Sequence, residues 1–248
     1  MSLSGKTVMI TGASKGLGRA MAEKAASLGA TVWAIGRDQA DLASLAATFD
    51  AIHPLALDIT ADDAADKAFN VASPDILILS AGAAPKMAPV RELSWQEFST
   101  NWQTDVRQSY NFGRAALTKP LKDGSTVATI SSGAALSGSF ASGGYAGAKR
   151  MQWFLSGYLQ KEAQELGRDI RFLTILPKQQ FRDTQLGHQA STGYAERLGI
   201  PHEEFLSRFK NALTPEGFAE KAFEVLLGPD TVETSSFGIN GAGIEKLD

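Results

Sequence analysis

Ser132, Tyr145 and Lys149 are the residues of this chain whose types and spacing could together move a proton. Tyr145 and Lys149 stand four positions apart, and on a helix positions i and i+4 share one face, which sets an ammonium beside a phenol. A free phenol titrates near pH 10 and is a poor acid or base at neutrality. Lowering that value by two or three units takes about 3–4 kcal/mol. One positive charge about 4 Å away, at an effective dielectric of about 20, supplies energy of that order. Ser132, thirteen residues before the tyrosine, could then hydrogen-bond a substrate oxygen while Tyr145 exchanges a proton with it. Such a set interconverts an alcohol and a carbonyl, provided something carries a hydride. By itself a Tyr-x-x-x-Lys pair is weak evidence, because a tyrosine in a Gly/Ser-rich stretch is often a surface residue.

The elements that must position these residues begin at the N-terminus. Lys6-Thr7-Val8-Met9-Ile10 is a short β-branched and apolar run, followed by Thr11-Gly12-Ala13-Ser14-Lys15-Gly16-Leu17-Gly18. A helical pattern then runs from Arg19 to Leu28 and stops at Gly29. Strand, glycine turn and helix in this order could be an ordinary βα loop, but at the start of an α/β chain they point to a phosphate cradle. Glycines let the backbone approach a pyrophosphate, and the helix start offers unpaired N–H groups and a positive dipole end. Further buried strands are expected at Thr31–Ile35, Ile52–Leu57, Ile76–Ser80, Thr126–Ser131 and Ile170–Leu176. Helical patterns lie between them at Asp38–Thr48, Asp62–Val71, Ser94–Leu117 and Ala146–Leu166. Parallel strands need such crossovers. The stretch 178–212 is of mixed polarity, with Gly187, Gly193, Gly199 and Pro201, and is expected to form short helices and loops over the site as a substrate-side lid.

With these motifs in place the chain resembles the short-chain dehydrogenase/reductase family over nearly its whole length. The family's T-G-x-x-x-G-x-G turn matches Thr11, Gly12, Gly16 and Gly18, and its catalytic set matches Ser132, Tyr145 and Lys149. Its aspartate after the third strand matches Asp58, and its Asn-Ala-Gly after the fourth appears as Ser80-Ala81-Gly82. The resemblance implies a single Rossmann-like doubly wound α/β domain over residues 1–248, with a mostly parallel sheet of about seven strands. It implies a nicotinamide cofactor contacted by Gly12, Ser14, Lys15, Gly16, Leu17, Gly18, Arg37, Asp58, Ile59, Ser80, Ala81, Gly82, Tyr145, Lys149 and Pro177.

The departures from that pattern matter as much. A fourth catalytic residue, an asparagine that helps hold a water beside the lysine, falls at Asp105 here, with Asn101 and Asn111 fitting the register less well. An ionised aspartate accepts but does not donate. The family's Pro-Gly is Pro177-Lys178, and the threonine that follows comes late, as Thr184. At the end of the second strand, where a carboxylate would select NAD(H), stand Gly36 and Arg37. Lys15 and Arg37 resemble a clamp for the 2′-phosphate of NADP(H), which is favoured over NAD(H). Asp38 is a competing claim for NAD(H), but is expected to cap the next helix. Both cations could also be plain solvated charges.

The remaining features exclude more than they assign. A formal charge of −3 gives no basis for nucleic-acid binding, and the chain has no cysteine for disulfides or thiolate metal sites. His53, His188 and His202 share no metal-ligand spacing, so no metal is expected. The sequence shows no charged-then-apolar leader and no apolar run near 18 residues, which points to a cytoplasmic protein without a membrane span. Trp95, Trp102 and Trp153 are read as packing or subunit contacts. Phe181, Leu186 and Tyr194 could line an apolar pocket or simply pack a loop. Lys178 could meet an anionic ligand or stand as a surface lysine. A patch of Trp153, Phe154, Tyr158 and Leu159 on the Tyr145 helix suits a homo-oligomer, a tetramer by resemblance. The function expected is NADP-dependent hydride transfer between a small-molecule alcohol and a ketone or aldehyde, with Asp105 the fourth member of the set. The alternative is a catalytically weak NADP-binding sensor or interaction protein on the same fold. A sugar-nucleotide epimerase or dehydratase is disfavoured by the glycine spacing.

Overall fold

In the computed structural model, residues 2–179, 181, 184–207, 213–228 and 234–247 are described. Seven parallel strands form the sheet: β1 (Thr7–Thr11), β2 (Thr31–Gly36), β3 (Ile52–Ala56), β4 (Ile76–Leu79), β5 (Ser125–Ile130), β6 (Ile170–Pro177) and β7 (Ser236–Asn240). β4 and β5 are buried at every position, and β1 and β6 at all but one. Strands covered on both faces read as unbroken apolar runs rather than alternating ones, which is why they were legible. An eighth strand, β8 (Gly243–Lys246), pairs antiparallel with β7. It was not expected, because it is four residues long, mostly exposed and carries no apolar run. The Asn240 carboxamide makes its turn, accepting from the backbone N–H groups of Ala242 and Gly243.

The strand order is β3-β2-β1-β4-β5-β6-β7-β8. The direction of progression reverses between β1 and β4, which is where ligands bind in open parallel sheets. Helices cover both faces. α1 (Gly16–Ser27), α2 (Gln39–Ala46) and α9 (Pro215–Leu227) share one apolar core with one face of the sheet, while α3 (Ala64–Val71), α5 (Arg107–Thr118) and α6 (Tyr145–Glu165) share a second core on the other. Asp38 caps α2 as expected, its carboxylate accepting from the N–H groups of Ala40 and Asp41.

The stretch expected as one helix over Ser94–Leu117 is divided. It begins with α4 (Trp95–Asn101), capped reciprocally by Ser94 and Glu97, passes through a wide π turn at Trp102–Val106, and continues as α5. Such turns recur at functional sites because they release backbone carbonyls from the helix ladder. Within 178–212, α7 (Gln185–Leu198) and α8 (His202–Ser207) form, while residues 208–212 and the Leu186 side chain lie outside the described residues.

Candidate active site

Parallel strands deliver their carboxyl ends to one edge of the sheet. Thr11, Gly36, Ala56, Leu79, Ile130 and Pro177 end β1 to β6 at that edge. The glycine turn, Arg37, Asp58, Ser80 and Ser132 therefore leave the sheet on the same side.

The glycine turn is shaped by close approaches. Gly12 has φ +66°, and a Cβ there would lie 2.6 Å from the Cα of Ala81. A Cβ on Gly18 would lie 2.2 Å from the Gly12 carbonyl oxygen, so the start of α1 can reach the turn only without a side chain. A backbone cradle leading into a helix N-terminus fits a cofactor pyrophosphate. Ser14 borders Gly36: a Cβ on Gly36 would stand 3.4 Å from that of Ser14. Leu17 is half-buried between Gly16 and Gly18. Lys15 is exposed and pairs with Asp41 Oδ2 at 2.8 Å. Arg37 is exposed. Asp58 accepts from the Thr60 N–H and hydroxyl at 2.9 and 2.8 Å. The Thr60 N–H, first, and then its hydroxyl hold the Asp58 carboxyl below its usual range despite partial burial, with Arg37 and Arg107 adding to the effect. Ile59, beside it, is buried in the second core.

The Ser80-Ala81-Gly82 turn is fastened to β1 by a buried latch. Thr11 Oγ1 accepts from the N–H groups of Ser80 and Ala81 at 3.0 and 3.2 Å, and donates to Gln108 Oε1 at 2.6 Å. Gln108 Nε2 returns to the Ala81 carbonyl at 2.5 Å. Gln108 escaped the sequence reading. Its signal was a large polar side chain among the mostly apolar buried positions of α5.

The catalytic candidates meet at the start of α6. Tyr145 is its first residue and half-buried. The Lys149 ammonium lies 5.7 Å from the centroid of the tyrosine ring. Ser132 caps a 3-10 turn (Gly133–Ala135) that packs against α6, accepting from the Ala134 N–H at 3.2 Å. Because Oγ accepts there, its O–H is left to donate outward. Ser131 Oγ donates to the Lys149 carbonyl at 2.8 Å, and Lys149 Nζ donates to the Ile130 carbonyl at 3.2 Å, which ties α6 to the end of β5.

Asp105 reaches this set. It is fully buried, and its Oδ2 lies 3.1 Å from Lys149 Nζ. Oδ1 accepts from the Ala83 N–H at 2.9 Å and from Asn101 Nδ2 at 3.3 Å. The Asp105 carbonyl, within the π turn, accepts from Gln152 Nε2 at 2.9 Å and Ser109 Oγ at 3.1 Å. Burial, the largest single influence, pulls the Lys149 pKa down. Asp105 and Tyr145 together outweigh it and hold the ammonium above its ordinary value. Gln152 is a second inward-facing polar residue the sequence reading missed. Asn111 is not part of this group, since it donates to the Ala61 carbonyl.

The segment after β6 comes back over the edge. Thr184 caps α7 and lies 3.6 Å from where a Gly16 Cβ would stand, so this late threonine still meets the glycine turn. Pro177 and Lys178 border Gly133, whose Cβ would sit 3.2 and 3.1 Å from their backbones. The Lys178 ammonium is paired with Glu245, which supports the surface-lysine reading. Phe181 turns into the core against Phe218, which supports loop packing. Tyr194 stacks on Phe205 and bonds the Ser139 hydroxyl. An open cleft of about 510 Å³ lies between 84–87 and α7, lined by residues including Lys86, Met87, His188, Thr192 and Glu196. Ser132 and Tyr145 do not line it, but the Lys86 carbonyl approaches Gly143, two residues before the tyrosine.

The switch point, the glycine turn and the order of the strands define a Rossmann-like dinucleotide-binding architecture. The sequence pattern of short chain dehydrogenases matches residues 6–193, and the chain belongs to that family. It is 33% identical over 125 residues to D-erythrulose reductase of Gallus gallus, a match covering 49% of this chain and 51% of that protein. The chain thus spans about half the length of that curated relative. Solved structures of low identity show the same fold. The 3-ketoacyl-(acyl-carrier-protein) reductase from Brucella melitensis, complexed with NADH, aligns with TM-score 0.78 at 23% identity over 97% of this chain and 98% of that one. Serine dehydrogenase complexed with NADP+ in its closed form aligns with TM-score 0.80 at 22% identity over 94% of each chain.

Proposed function

We propose that this chain is an NADP-dependent oxidoreductase that interconverts a small-molecule alcohol and its ketone or aldehyde. The observation that carries the reading is the placement of Lys149 between the Tyr145 ring and the buried Asp105 carboxylate, on the edge that also holds the glycine turn. The glycine turn, the Ser80 turn and Asp58 would hold a nicotinamide dinucleotide, which would supply or accept the hydride. Tyr145 gives a proton to the carbonyl oxygen in reduction and takes one from the alcohol in oxidation. Ser132 donates its free O–H to the same oxygen and steadies the charge that develops there. The charged Lys149 favours the moment at which Tyr145 has lost its proton. Asp105 fixes the lysine in place, and through the Ala83 N–H it also fixes the wall that leads to the cleft. Lys15 in the glycine turn and Arg37 after β2 are exposed cations available to a 2′-phosphate, which supports NADP(H).

Substitution of Tyr145 by Phe removes the acid and keeps the ring. Turnover is expected to fall at least about 10²-fold with cofactor affinity nearly kept. A screen of ketones and alcohols, small ketoses first in view of the erythrulose reductase likeness, identifies the substrate by NADPH absorbance. Unchanged turnover by the Phe variant would remove Tyr145 from the mechanism. The buried ion pair also suits the second reading, a weakly catalytic NADP-binding protein. That reading predicts NADPH binding with no turnover across the same screen.

The assembly proposed is a homo-oligomer, a tetramer by resemblance. The outer face of α6 supports it: Phe154 and Tyr158 are exposed and stacked at 6.4 Å, and the Arg150 guanidinium lies over Phe154 and the half-buried Trp153. Leu159, expected in this patch, instead packs into the second core.

A further inference from the structure

One of the two cations offered to a 2′-phosphate already has an anion beside it. The Lys15 ammonium is 2.8 Å from Asp41 Oδ2, and Asp41 stands in the first turn of α2, three residues after Asp38. Ser14, the neighbour of Lys15, lies against Gly36 at the end of β2. Glycine turn, end of β2 and start of α2 therefore form one corner. Its charges are the cations Lys15 and Arg37 and the carboxylates Asp38 and Asp41, with Asp58 close enough to Arg37 to feel it. The Asp38 carboxylate is occupied by the N–H groups of Ala40 and Asp41, so it is committed to the helix cap. Asp41 is different: its partner is the ammonium itself. The Asp41 hydrogen bond and charge, in that order, hold Lys15 above its ordinary pKa.

We propose that Asp41 is a specificity-determining residue that restrains the preference of this protein for NADP(H), by competing with the cofactor 2′-phosphate for the Lys15 ammonium. An ammonium has three donors and can touch two anions at once. Doing so, however, brings a carboxylate and a phosphate within a few ångströms of each other, well inside the screening length of about 8–10 Å at physiological salt. NADH carries no such phosphate and meets no such repulsion. Asp41 thus acts on the difference between the two cofactors, by opposing one of them. The inference rests on the Lys15–Arg37 clamp proposed above.

Calorimetric titration of NADPH, NADH and 2′,5′-ADP tests it, using the unaltered chain, Asp41→Asn, Lys15→Ala and the double variant. Asp41→Asn is expected to tighten NADPH and 2′,5′-ADP by about two- to fivefold, the range spanned by exposed ion pairs, and to leave NADH unchanged. In the Lys15→Ala background the same substitution should give no gain. Melting curves confirm that each variant is folded. Unchanged or weaker NADPH binding by Asp41→Asn overturns the inference, and weaker binding would make Asp41 a support for Lys15 instead of a competitor. If Lys15→Ala alone leaves NADPH binding unaltered, the clamp itself fails and the inference falls with it. A loss on Lys15→Ala combined with no effect of Asp41→Asn removes the inference and keeps the clamp.

Discussion

Lys149 keeps its charge in a buried place because Asp105 is there. Removing one partner of a buried ion pair leaves the other uncompensated, and Asp105→Leu is expected to cost about 3–5 kcal/mol, read by denaturant unfolding. Asp105→Asn keeps the shape and an acceptor for Lys149 but drops the negative charge, so the Lys149 pKa falls. The sign of the pH effect follows. A group held above its ordinary value, 10.5 here, gives its full stabilisation below that value and loses it as pH rises through the raised one. In Asp105→Asn burial, the largest influence on Lys149, is opposed by Tyr145 alone, so this alkaline loss of stability should shrink or reverse, as thermal melts between about pH 9 and 12 would show. The alkaline limb of the oxidation rate profile should move to lower pH, because the Asp105 charge no longer favours the protonated forms. Superimposable profiles would leave Asp105 a structural residue.

The helical stretch from Ser94 to Thr118 illustrates what a pattern conceals. Its periodicity announced one helix, and its boundaries were nearly right. The π turn in the middle was invisible, because nothing in the order of residues says which carbonyl will leave the ladder. Within that turn the Asp105 carbonyl accepts from Gln152 and Ser109, 47 and 4 residues away. Three further polar side chains on this run, Asn101, Asp105 and Gln108, face inward and carry the turns after β4. Gln108→Leu should orphan the Ala81 carbonyl and deprive the Thr11 hydroxyl of its acceptor, costing about 2–3 kcal/mol and loosening the Ser80 turn. Unfolding measurements with and without NADPH check both effects, since the cofactor should stabilise the variant less than the parent. At the head of α1, Gly18→Ala meets a backbone oxygen instead of a movable side chain. It is expected to weaken the binding of both cofactors, as calorimetry would show.

For the whole molecule, the exposed and stacked Phe154 and Tyr158 on α6 are the surface on which the proposed oligomer can be tested. Large contiguous apolar surface marks association sites more often than not. Phe154→Asp with Tyr158→Asp is expected to lower the molecular mass in light scattering to that of one chain, with the fold intact by circular dichroism. A parent protein that already scatters as one chain at micromolar concentration would dismiss the oligomer. No helix among the described residues is long and apolar enough to cross a membrane.

The sequence by itself determined the alternation of strands and helices, the glycine turn and the spacing of Ser132, Tyr145 and Lys149. These are written locally: buried parallel strands are apolar throughout, turns need glycine, and an i, i+4 pair is fixed by helix geometry. Even the Asp38 cap could be read this way. Tertiary structure decided which charges meet. Lys15 with Asp41, Lys178 with Glu245 and Lys149 with Asp105 are pairs separated by 26, 67 and 44 positions, reading the numbers of the paired residues. Partners so distant in the chain are chosen by the order of strands and by the packing of helices on them, because a charge interacts through space and not along the backbone.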